Sequence, residues 1–232
     1  MFYDLHVHSA LSPCADNTMT PASIAGFLTL SGADVVAVSD HNSARNLPAA
    51  KKACNAFGIK LLPAIEVNTA EEIHLLCYFS EIEQALELGE KIYGTLPDVR
   101  ADPSVWGSQL VFDENDRVLA KIDKLLTLAS GFDIYQMTAL IRKLGGIAVP
   151  AHVDRDAFSL LSVRGFMPDD LSFSCIELVR PHKYAELTEK KLLPDGLATL
   201  VSSDAHNLTQ LLREPLPRLG DGHPLMELIE KL

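Results

Sequence analysis

Histidines and acidic residues occur in this 232-residue chain at spacings that are typical of metal ligands. His6 and His8 form an H-x-H pair, and Asp204 and His206 form a D-x-H pair. Alternate residues of a β-strand point to the same side, so the two imidazoles of the first pair can share one ion. Imidazole combined with carboxylate suits zinc, iron or manganese. The spacing therefore predicts a metal site.

These pairs adjoin short apolar segments that predict β-strands. The segments are rich in Val, Ile and Leu and are bounded by Gly, Asp, Asn or Pro. Several are apolar throughout, as is expected of parallel strands that are covered on both faces. The predicted strands cover residues 2–7, 34–39, 60–67, 73–79, 146–151, 175–179 and 199–203.

Helices are predicted between the strands, over residues 21–30, 44–57, 82–93, 118–129, 134–144 and 184–192. Seven strands that alternate with helices favour an α/β fold, specifically a closed or nearly closed β/α barrel. An eight-stranded barrel typically needs about 250 residues, so this chain is one unit short. The sequence contains no internal repeat or linker, and we predict one domain over residues 1–232.

The carboxyl ends of barrel strands meet at one rim, where active sites are built. Asp40 and His41 follow the second predicted strand, Glu66 lies at the end of the third, His74 lies in the fourth, and His152 follows the fifth. A single buried histidine at a strand end is more often structural than a ligand. Six or more such residues at the same end of consecutive strands favour a ligand role.

The segment 96–117 fits no β/α unit and is predicted to be an inserted lid or substrate-binding segment. It contains Trp106, the single tryptophan of the chain, and a hairpin is predicted around residues 109–112. Trp106 and Phe112 offer aromatic faces on which a nucleobase can stack. Packing in the core or in the lid is the alternative for a lone tryptophan.

The composition, with 47% hydrophobic and 22% charged residues, is that of an ordinary globular protein. Lys and Arg number 20 against 31 Asp and Glu, and the resulting net charge of -11 disfavours an extended nucleic-acid surface or an anionic membrane partner. The sequence has no apolar run near the roughly 20 residues of a membrane span and no basic segment typical of a secretory signal. Four widely spaced cysteines without a C-x-x-C motif suit reduced thiols, so we expect a cytoplasmic protein.

Taken together in their order, five motifs resemble those of the PHP family, whose name abbreviates polymerase and histidinol phosphatase. They are D-L-H-V-H-S at 4–9, S-D-H at 39–41, I-E at 65–66, A-H-V-D at 151–154 and S-D-A-H at 203–206. The resemblance implies a distorted seven-stranded TIM-like barrel, a metal-dependent phosphoesterase activity, and two or three divalent ions at the carboxyl-terminal rim.

The resemblance also implies how the ligands are shared between three ions. They fall into three sets: His6, His8, Glu66 and Asp204 for the first ion; Glu66, His74 and His152 for the second; His41 and His206 for the third. In this arrangement the carboxylate of Glu66 bridges two of the ions.

The third ion requires one further ligand from the loop after His8. Counting back from the helix start at Thr20-Pro21 places Asp16 at the family's Asp position, and we predict Asp16 on that ground. Counting forward from His8 falls nearer Cys14, whose thiolate would bias the ion towards zinc. Asp40 either binds metal or orients a metal ligand, and the sequence leaves both roles open.

The predicted reaction is hydrolysis of a small organic phosphate, a nucleotide or a short oligonucleotide, in which a hydroxide that bridges the ions attacks phosphorus. The predicted catalytic residues are Asp204, His206, Arg155 and His182, with His182 as a proton donor to the leaving group. The predicted substrate-binding residues are Arg155, Arg180 and Trp106. Strand-end arginines suit bidentate binding of phosphate.

Two other functions are considered. A metal-dependent amidohydrolase also carries H-x-H on the first strand of a barrel, but such enzymes often have a bridging lysine, and no lysine lies at a predicted strand end here. A non-catalytic regulatory module would keep a metal-binding barrel without turnover. The retention of eight or nine ligand positions weighs against that module.

Overall fold

The computed structural model describes residues 1–212 and 215–232, which form an α/β fold of short elements. The strands are β1 (Tyr3–Val7), β2 (Val35–Val38), β3 (Lys60–Leu61), β4 (Ala64–Asn68), β5 (His74–Tyr78), β6 (Leu110–Phe112), β7 (Val118–Lys121), β8 (Ile147–Pro150), β9 (Cys175–Glu177) and β10 (Ala198–Leu200). The α-helices are α1 (Pro21–Leu30), α2 (Leu47–Phe57), α3 (Ile82–Tyr93), α4 (Pro103–Trp106), α5 (Ile134–Lys143), α6 (Leu160–Arg164), α7 (Tyr184–Glu189) and α8 (Met226–Ile229). The 3-10 turns are Asp169–Leu171, Pro181–Lys183 and Leu208–Leu211.

Helix ends follow the local signals of the sequence. Helix α1 begins at Pro21 because Thr20 caps it, accepting a hydrogen bond from the Ser23 amide. Helix α2 ends at Gly58, which has a φ of 75° and closes the helix in the left-handed conformation that glycine adopts without strain. The sequence therefore predicts both ends correctly.

The strands pair in four sheets. Strands β1, β2 and β3 form one parallel sheet, and β9 and β10 form another. In the third sheet β5 lies between β4 and β8 and runs antiparallel to both. Strands β6 and β7 form the fourth sheet, an antiparallel hairpin. The described residues thus show an α/β fold built from small sheets, and a continuous seven-stranded barrel is not formed by strand pairing alone.

The direction of β5 determines where His74 lies. In a barrel of parallel strands His74, at the amino end of its strand, would lie at the rim opposite the other predicted ligands. Because β5 is antiparallel, His74 instead pairs with Asn68 at the carboxyl end of β4, and Leu75 pairs with Pro150 at the end of β8. The reversal brings this imidazole to the same edge as the other candidate ligands.

The prediction of one strand over 60–67 is wrong because Pro63 has no amide hydrogen and interrupts the pairing. The prediction of a helix over 118–129 is also wrong. Residues 118–121 instead form β7, because the Asp113 carboxylate accepts hydrogen bonds from the Asn115 and Arg117 amides and closes the turn before it. The apolar spacing of 118–126 suits a helix, but this local turn determines the structure.

One of the buried apolar clusters lies directly below the predicted site. It takes alternate residues from several strands, among them Leu5, Ala64, Leu76 and Val149. Glu66 follows Ala64 on the same face of β4, since side chains alternate along a strand. The carboxylate is therefore held above a dry, close-packed layer, where it is shielded from water.

None of the helices within residues 1–212 and 215–232 combines the length and the apolar composition of a segment that crosses a bilayer.

Candidate metal centre

The carboxylate of Glu66 lies among five imidazoles and is 1% exposed. Its Oε1 atom lies 3.3 Å from His6 Nε2, 2.9 Å from His74 Nδ1 and 3.2 Å from His152 Nε2. These imidazoles come from three strand ends, on β1, β5 and the turn after β8. The structure therefore brings together residues that are up to 146 positions apart, since 152 minus 6 is 146.

The second oxygen of Glu66 faces two other imidazoles. Its Oε2 atom lies 3.3 Å from His8 Nε2 and 3.0 Å from His41 Nδ1. Glu66 Oε2, His41 Nδ1 and His152 Nδ1 are nevertheless buried polar atoms without a hydrogen-bond partner. Buried polar atoms of this kind are costly unless something satisfies them. A carboxylate with histidine nitrogens around both oxygens is a donor set that suits bound cations.

Asp204 provides a second carboxylate above His6 and His8. Its Oδ1 atom lies 3.2 Å from His6 Nε2 and 3.1 Å from His8 Nε2, and these two nitrogens are themselves 3.1 Å apart. His6 Nδ1 donates to the acceptor-only carboxylate of Glu177, and His8 Nδ1 donates to Ser12 Oγ. In the neutral imidazoles both Nε2 atoms therefore present lone pairs to each other, an arrangement that either a proton or a metal ion would relieve.

His206 extends the cluster on the side of His8 and His41. The ligand atoms of these three histidines lie within 4.8 Å of one another. His206 Nδ1 donates to the backbone carbonyl of Asp204 at 2.7 Å, which leaves its Nε2 lone pair available. The sets His6–His8–Glu66 and His41–Glu66–His74 are equally compact, so these residues support a site for divalent metal.

Two of these residues are held in strained backbone conformations. His152 has a φ of 32° and Asp204 a φ of 51°, in the left-handed region that non-glycine residues rarely adopt. The His152 amide donates to Glu177 Oε2 at 3.0 Å, which stabilises the turn after β8. Such strain is often found at functional sites.

Asp40 does not face the imidazoles. Its Oδ1 atom accepts hydrogen bonds from the Ser9 amide and Ser12 Oγ, both at 2.7 Å, and its Oδ2 atom accepts from Ser9 Oγ at 2.6 Å. Ser12 Oγ in turn accepts from His8 Nδ1 at 2.9 Å. Of the two roles left open by the sequence, this geometry favours the one in which Asp40 orients a ligand through Ser12.

Glu177 is a site residue that the sequence analysis missed. Both of its carboxylate oxygens lie about 3 Å from His6 Nδ1, at 3.1 and 3.0 Å, and it is 3% exposed. Glu177 lies in the middle of the predicted strand 175–179, and the signal that could have identified it is an acid within an otherwise apolar strand. Glu177 fixes the tautomer of His6, as carboxylates often do for metal-binding histidines.

Burial and neighbouring charges both shift the pKa values of the imidazoles in the centre. Burial lowers the pKa of His8, but hydrogen bonds to the carboxylates of Asp204 and Glu66 outweigh it and raise the pKa to about 9. Burial likewise lowers the pKa of His41, and the charge of Glu66 raises it to about 9. Burial and the neighbouring charge of His8 lower the pKa of His206 to about 4.

The pKa values of the two central carboxylates are lowered. Burial raises the pKa of Glu66, but the charges of His74, His6 and His41 hold it well below its usual value. Burial also raises the pKa of Asp204, which the charge of His6 then lowers strongly. Without metal, the centre is therefore held together by the anionic carboxylates and by the imidazoles whose pKa is raised, which are His6, His8 and His41.

The metal-free protein is expected to lose stability as the pH rises from about 6.5 to about 9. The folded pKa of His8, about 9, lies above its ordinary 6.5, so its contribution is complete below 6.5 and is lost through 9. For His8 this contribution is on the order of 3 kcal/mol. Melting temperatures measured from pH 5 to 9.5 with a chelator should fall between pH 6.5 and 9. In the His8→Asn variant this fall in melting temperature should be smaller.

With zinc added, the same decline should be absent, because bound ions replace the protons. The carboxylate contributions of Glu66 and Asp204, whose pKa values are lowered, are present above about pH 4.5 and are lost only below it. A chelated protein whose melting temperature rises between pH 6.5 and 9 would contradict this account.

A cavity of about 440 Å³ opens above the imidazoles. Its apolar wall includes Trp106, Phe158, Leu125 and Leu128, and Phe158 stacks on His74 with ring centroids 5.1 Å apart. Trp106 and Phe158 are about half exposed, at 47% and 46%. The predicted insertion thus contributes to the wall, and the cavity combines an ionic floor with aromatic sides.

Arg155 is the arginine that the structure places at this cavity. Its Nη2 atom lies 2.7 Å from Asp204 Oδ2, and its side chain is 44% exposed. Arg180 does not line the cavity, because its Nε donates to Asp154 Oδ2 at 3.0 Å and the same carboxylate accepts the Val179 and Arg180 amides. The prediction that Arg180 contacts substrate is therefore not supported by its position.

His182 and Asp16 are not brought to the cavity either. His182 is exposed on the 3-10 turn Pro181–Lys183 and is not one of the residues that line the cavity. Asp16 is exposed and is not part of the cavity wall, whereas Cys14 is part of it. The Asp16 ligand role thus stays a prediction, and the structure places Cys14 at the cavity wall.

No model of a known protein family matches the sequence, and no curated protein matches it. Solved structures do match. The chain superposes on the lesion-specific endonuclease EndoQ from Pyrococcus furiosus with 19% identity and a TM-score of 0.65, covering 89% of this chain and 48% of that one. The chain therefore spans about half the length of that endonuclease.

Two other matches cover nearly the whole of both chains. One is a protein from Bifidobacterium adolescentis inferred to be a metal-dependent phosphoesterase, with 14% identity, a TM-score of 0.63 and coverage of 99% and 96%. The other is an amidohydrolase from Chromobacterium violaceum with bound sulfate and no metal, with 18% identity, a TM-score of 0.65 and coverage of 100% and 97%. The chain thus shares its fold with these three structures.

Proposed function

We propose that this chain is a metal-dependent phosphoesterase that hydrolyses a small organic phosphate, a nucleotide or the end of a short oligonucleotide. The observation that carries the proposal is the convergence of six imidazoles on two carboxylates beside one arginine. The residues that would hold two or three divalent ions are His6, His8, His41, Glu66, His74, His152, Asp204 and His206.

Zinc, manganese or iron in such a site polarises phosphoryl oxygens and lowers the pKa of bound water towards 7. The guanidinium of Arg155 is half exposed at the cavity beside Asp204, where it is able to bind two phosphate oxygens at once. His206 keeps its proton on Nδ1, against the Asp204 carbonyl, so that Nε2 stays free for an ion. We therefore assign substrate binding to Arg155 and the holding of the catalytic ions to Asp204 and His206.

The aromatic wall supports an organic group larger than phosphate alone. Trp106 and Phe158 present half-exposed faces to the cavity. Any of the nucleobases can stack on such a face, because each has a flat π system. A net charge of -11 opposes binding along an extended nucleic acid, so one nucleotide or one strand end suits the site better. The segment 96–117 then acts as the substrate-binding wall, with Trp106 facing the ligand.

We also propose that the strands close into a distorted seven-stranded ring. Three backbone hydrogen bonds of 2.9 Å, which connect neighbouring sheets, support this. The amides of Asn42, Val153 and His8 donate to the carbonyls of Glu66, Glu177 and Ala205, respectively. The buried cluster shared by residues of these strands also supports it, since it would form the interior of such a ring. Closure would hold every ligand at one rim.

An amidohydrolase is the second candidate, supported by the fold that the chain shares with the amidohydrolase from Chromobacterium violaceum. The cavity wall contains no lysine within the described residues, and Glu66 occupies the position between the imidazoles. A carboxylate bridge with an adjacent arginine suits an anionic substrate better than a neutral amide. We therefore favour phosphate esters.

A substrate panel tests the proposal. Metal-stripped protein is reloaded with zinc, manganese or iron and incubated with an aryl phosphate, glycerol phosphate, nucleoside monophosphates, a short oligonucleotide and an aryl amide. We expect hydrolysis of phosphate esters, its loss with a chelator and its return with metal, and a lower KM for nucleotides than for glycerol phosphate. A folded, metal-loaded protein that hydrolyses none of the phosphate esters would refute the phosphoesterase assignment, and turnover of the amide alone would establish the second candidate.

A further inference from the structure

The loop between β1 and α1 is fixed against the metal centre at several points. The Asp16 amide donates to the carbonyl of His206 at 2.9 Å, and Ser12 is held by Asp40. On the outer side the loop packs against Gly107, where a Cβ atom would lie 2.5 Å from the Pro13 carbonyl oxygen. Only glycine allows this approach, so the insertion and the loop are in close contact at Gly107 and Pro13.

Within this loop, Cys14 is a residue of the cavity wall. It lines the cavity together with His41 and His206, and its thiol lies near enough to the His41 side chain to raise the pKa of that imidazole. His41 itself is 6% exposed, and its Nδ1 atom has no hydrogen-bond partner. His41 and His206 belong to one compact group of candidate ligands, and Cys14 lines the same cavity.

We propose that the Cys14 thiolate, and not the Asp16 carboxylate, is the ligand that the loop supplies to the ion held by His41 and His206. The inference rests on the proposed metal centre and specifies its third position. Binding replaces the thiol proton, which is released to solvent, with a sulfur–metal bond. Two imidazoles and one thiolate form a soft donor set that favours zinc over magnesium or manganese, whereas a carboxylate in the same place would not discriminate in this way.

The other cysteines do not interfere with a test of this proposal. Cys54, Cys77 and Cys175 are buried among apolar residues, and Cys14 is exposed. Burial raises the pKa of Cys54 to about 12 and holds the pKa values of Cys77 and Cys175 well above the ordinary value. The three buried thiols therefore stay protonated at neutral pH, and Cys14 is the exposed cysteine.

Cobalt spectroscopy gives a readout that does not depend on activity. The metal-stripped protein is loaded with Co²⁺, and the absorption of the thiolate-to-cobalt charge transfer is recorded with the cobalt content per chain. We expect the band in the unmodified protein and in Asp16→Asn, and we expect it to be absent in Cys14→Ser. Cys14→Asp should keep the cobalt content of the unmodified protein without the band, which shows that the loop still folds around an ion.

Alkylation provides a second measurement on the same protein. Iodoacetamide should modify Cys14 rapidly in the stripped protein and at least about tenfold more slowly after zinc loading, because the metal-bound thiolate is occupied. The proposal is overturned if cobalt binds without the band, or if Asp16→Asn loses bound cobalt while Cys14→Ser retains it; either result leaves the phosphoesterase assignment standing. A protein that binds no cobalt at all would refute both.

Discussion

Replacing Glu66 by glutamine is expected to remove bound metal and to lower kcat/KM by at least about 10³-fold, the upper end of what the loss of one electrostatic stabiliser costs. The substitution keeps the shape of the side chain and removes one negative charge. It also turns an NH₂ group, which can only donate, towards either the His74 and His152 side or the His41 side of the carboxylate. Both sets of imidazoles then lose an anionic partner, and one set also loses its acceptor.

The effect on metal binding should be large because both Glu66 oxygens are engaged. Oε1 lies within 3.3 Å of three imidazole nitrogens and Oε2 within 3.3 Å of two. An amide supplies only one oxygen, so two adjacent ions lose their common ligand. Elemental analysis after gel filtration measures the metal per chain, and steady-state kinetics on the best phosphate ester measures kcat/KM.

A matched control separates this effect from a general effect of Glu-to-Gln substitution. Glu83 lies exposed in α3, away from the cavity, and Glu83→Gln should keep the metal content and kcat/KM of the unmodified protein. Circular dichroism should show that both variants remain folded. A folded Glu66→Gln protein with its full metal content would show that Glu66 is not the bridge.

The ligand positions could be predicted from the sequence because they depend on local rules. An H-x-H pair such as His6 and His8 needs only the alternation of a strand, and acids or histidines at strand ends need only the meeting of strand ends at one edge. Both rules depend on neighbouring residues. The structure accordingly brings His6, His8 and Glu66 together as predicted from their motifs.

The direction of a strand is a different kind of property. The apolar run at 73–79 is the same whether the strand is parallel or antiparallel, because its side chains are buried on both faces in either case. Direction is determined by the connection and by the neighbouring strands, which lie far apart in the chain. The position of His74 at the common edge could therefore be proposed from family resemblance but not explained by periodicity.

Ion pairs between side chains were equally hidden. Arg180 and Asp154 are 26 residues apart, and nothing in either segment indicates that this carboxylate accepts the guanidinium and two backbone amides. The sequence offered Arg155 and Arg180 as equivalent strand-end arginines. Tertiary packing distinguishes them, since Arg180 is engaged by Asp154 while Arg155 remains at the cavity.

Glu177 yields the second large effect, although it is not among the residues that would touch metal. Its carboxylate accepts the His6 Nδ1 proton and the His152 amide, so it controls both the tautomer of one ligand and the turn that carries another. Removal of such a partner typically costs about 10- to 100-fold in metal affinity or activity. We expect Glu177→Ala to fall in this range for zinc affinity and for kcat/KM.

Glu177→Gln tests whether the cause is the tautomer or the packing. Oε2 is within 3.0 Å of both His6 Nδ1 and the His152 amide, so a glutamine oxygen placed there satisfies both donors. The glutamine NH₂ then meets His6 Nδ1 in place of Oε1, and the charge that raises the pKa of His6 is lost. We expect Glu177→Gln to keep the melting temperature within a few degrees and to lose about tenfold in zinc affinity.

The two variants together give a result that a purely structural role would not produce. If Glu177 served only to fill space at the end of β9, glutamine would restore both zinc affinity and kcat/KM, and only alanine would impair them. If it orients His6, affinity should fall in steps from glutamate to glutamine to alanine while the melting temperature of the glutamine variant stays high. Zinc competition with a chromogenic chelator measures the affinities, and Glu189→Gln, on the exposed surface of α7, provides the control. Equal zinc affinities for the unmodified protein and both Glu177 variants would remove Glu177 from the centre.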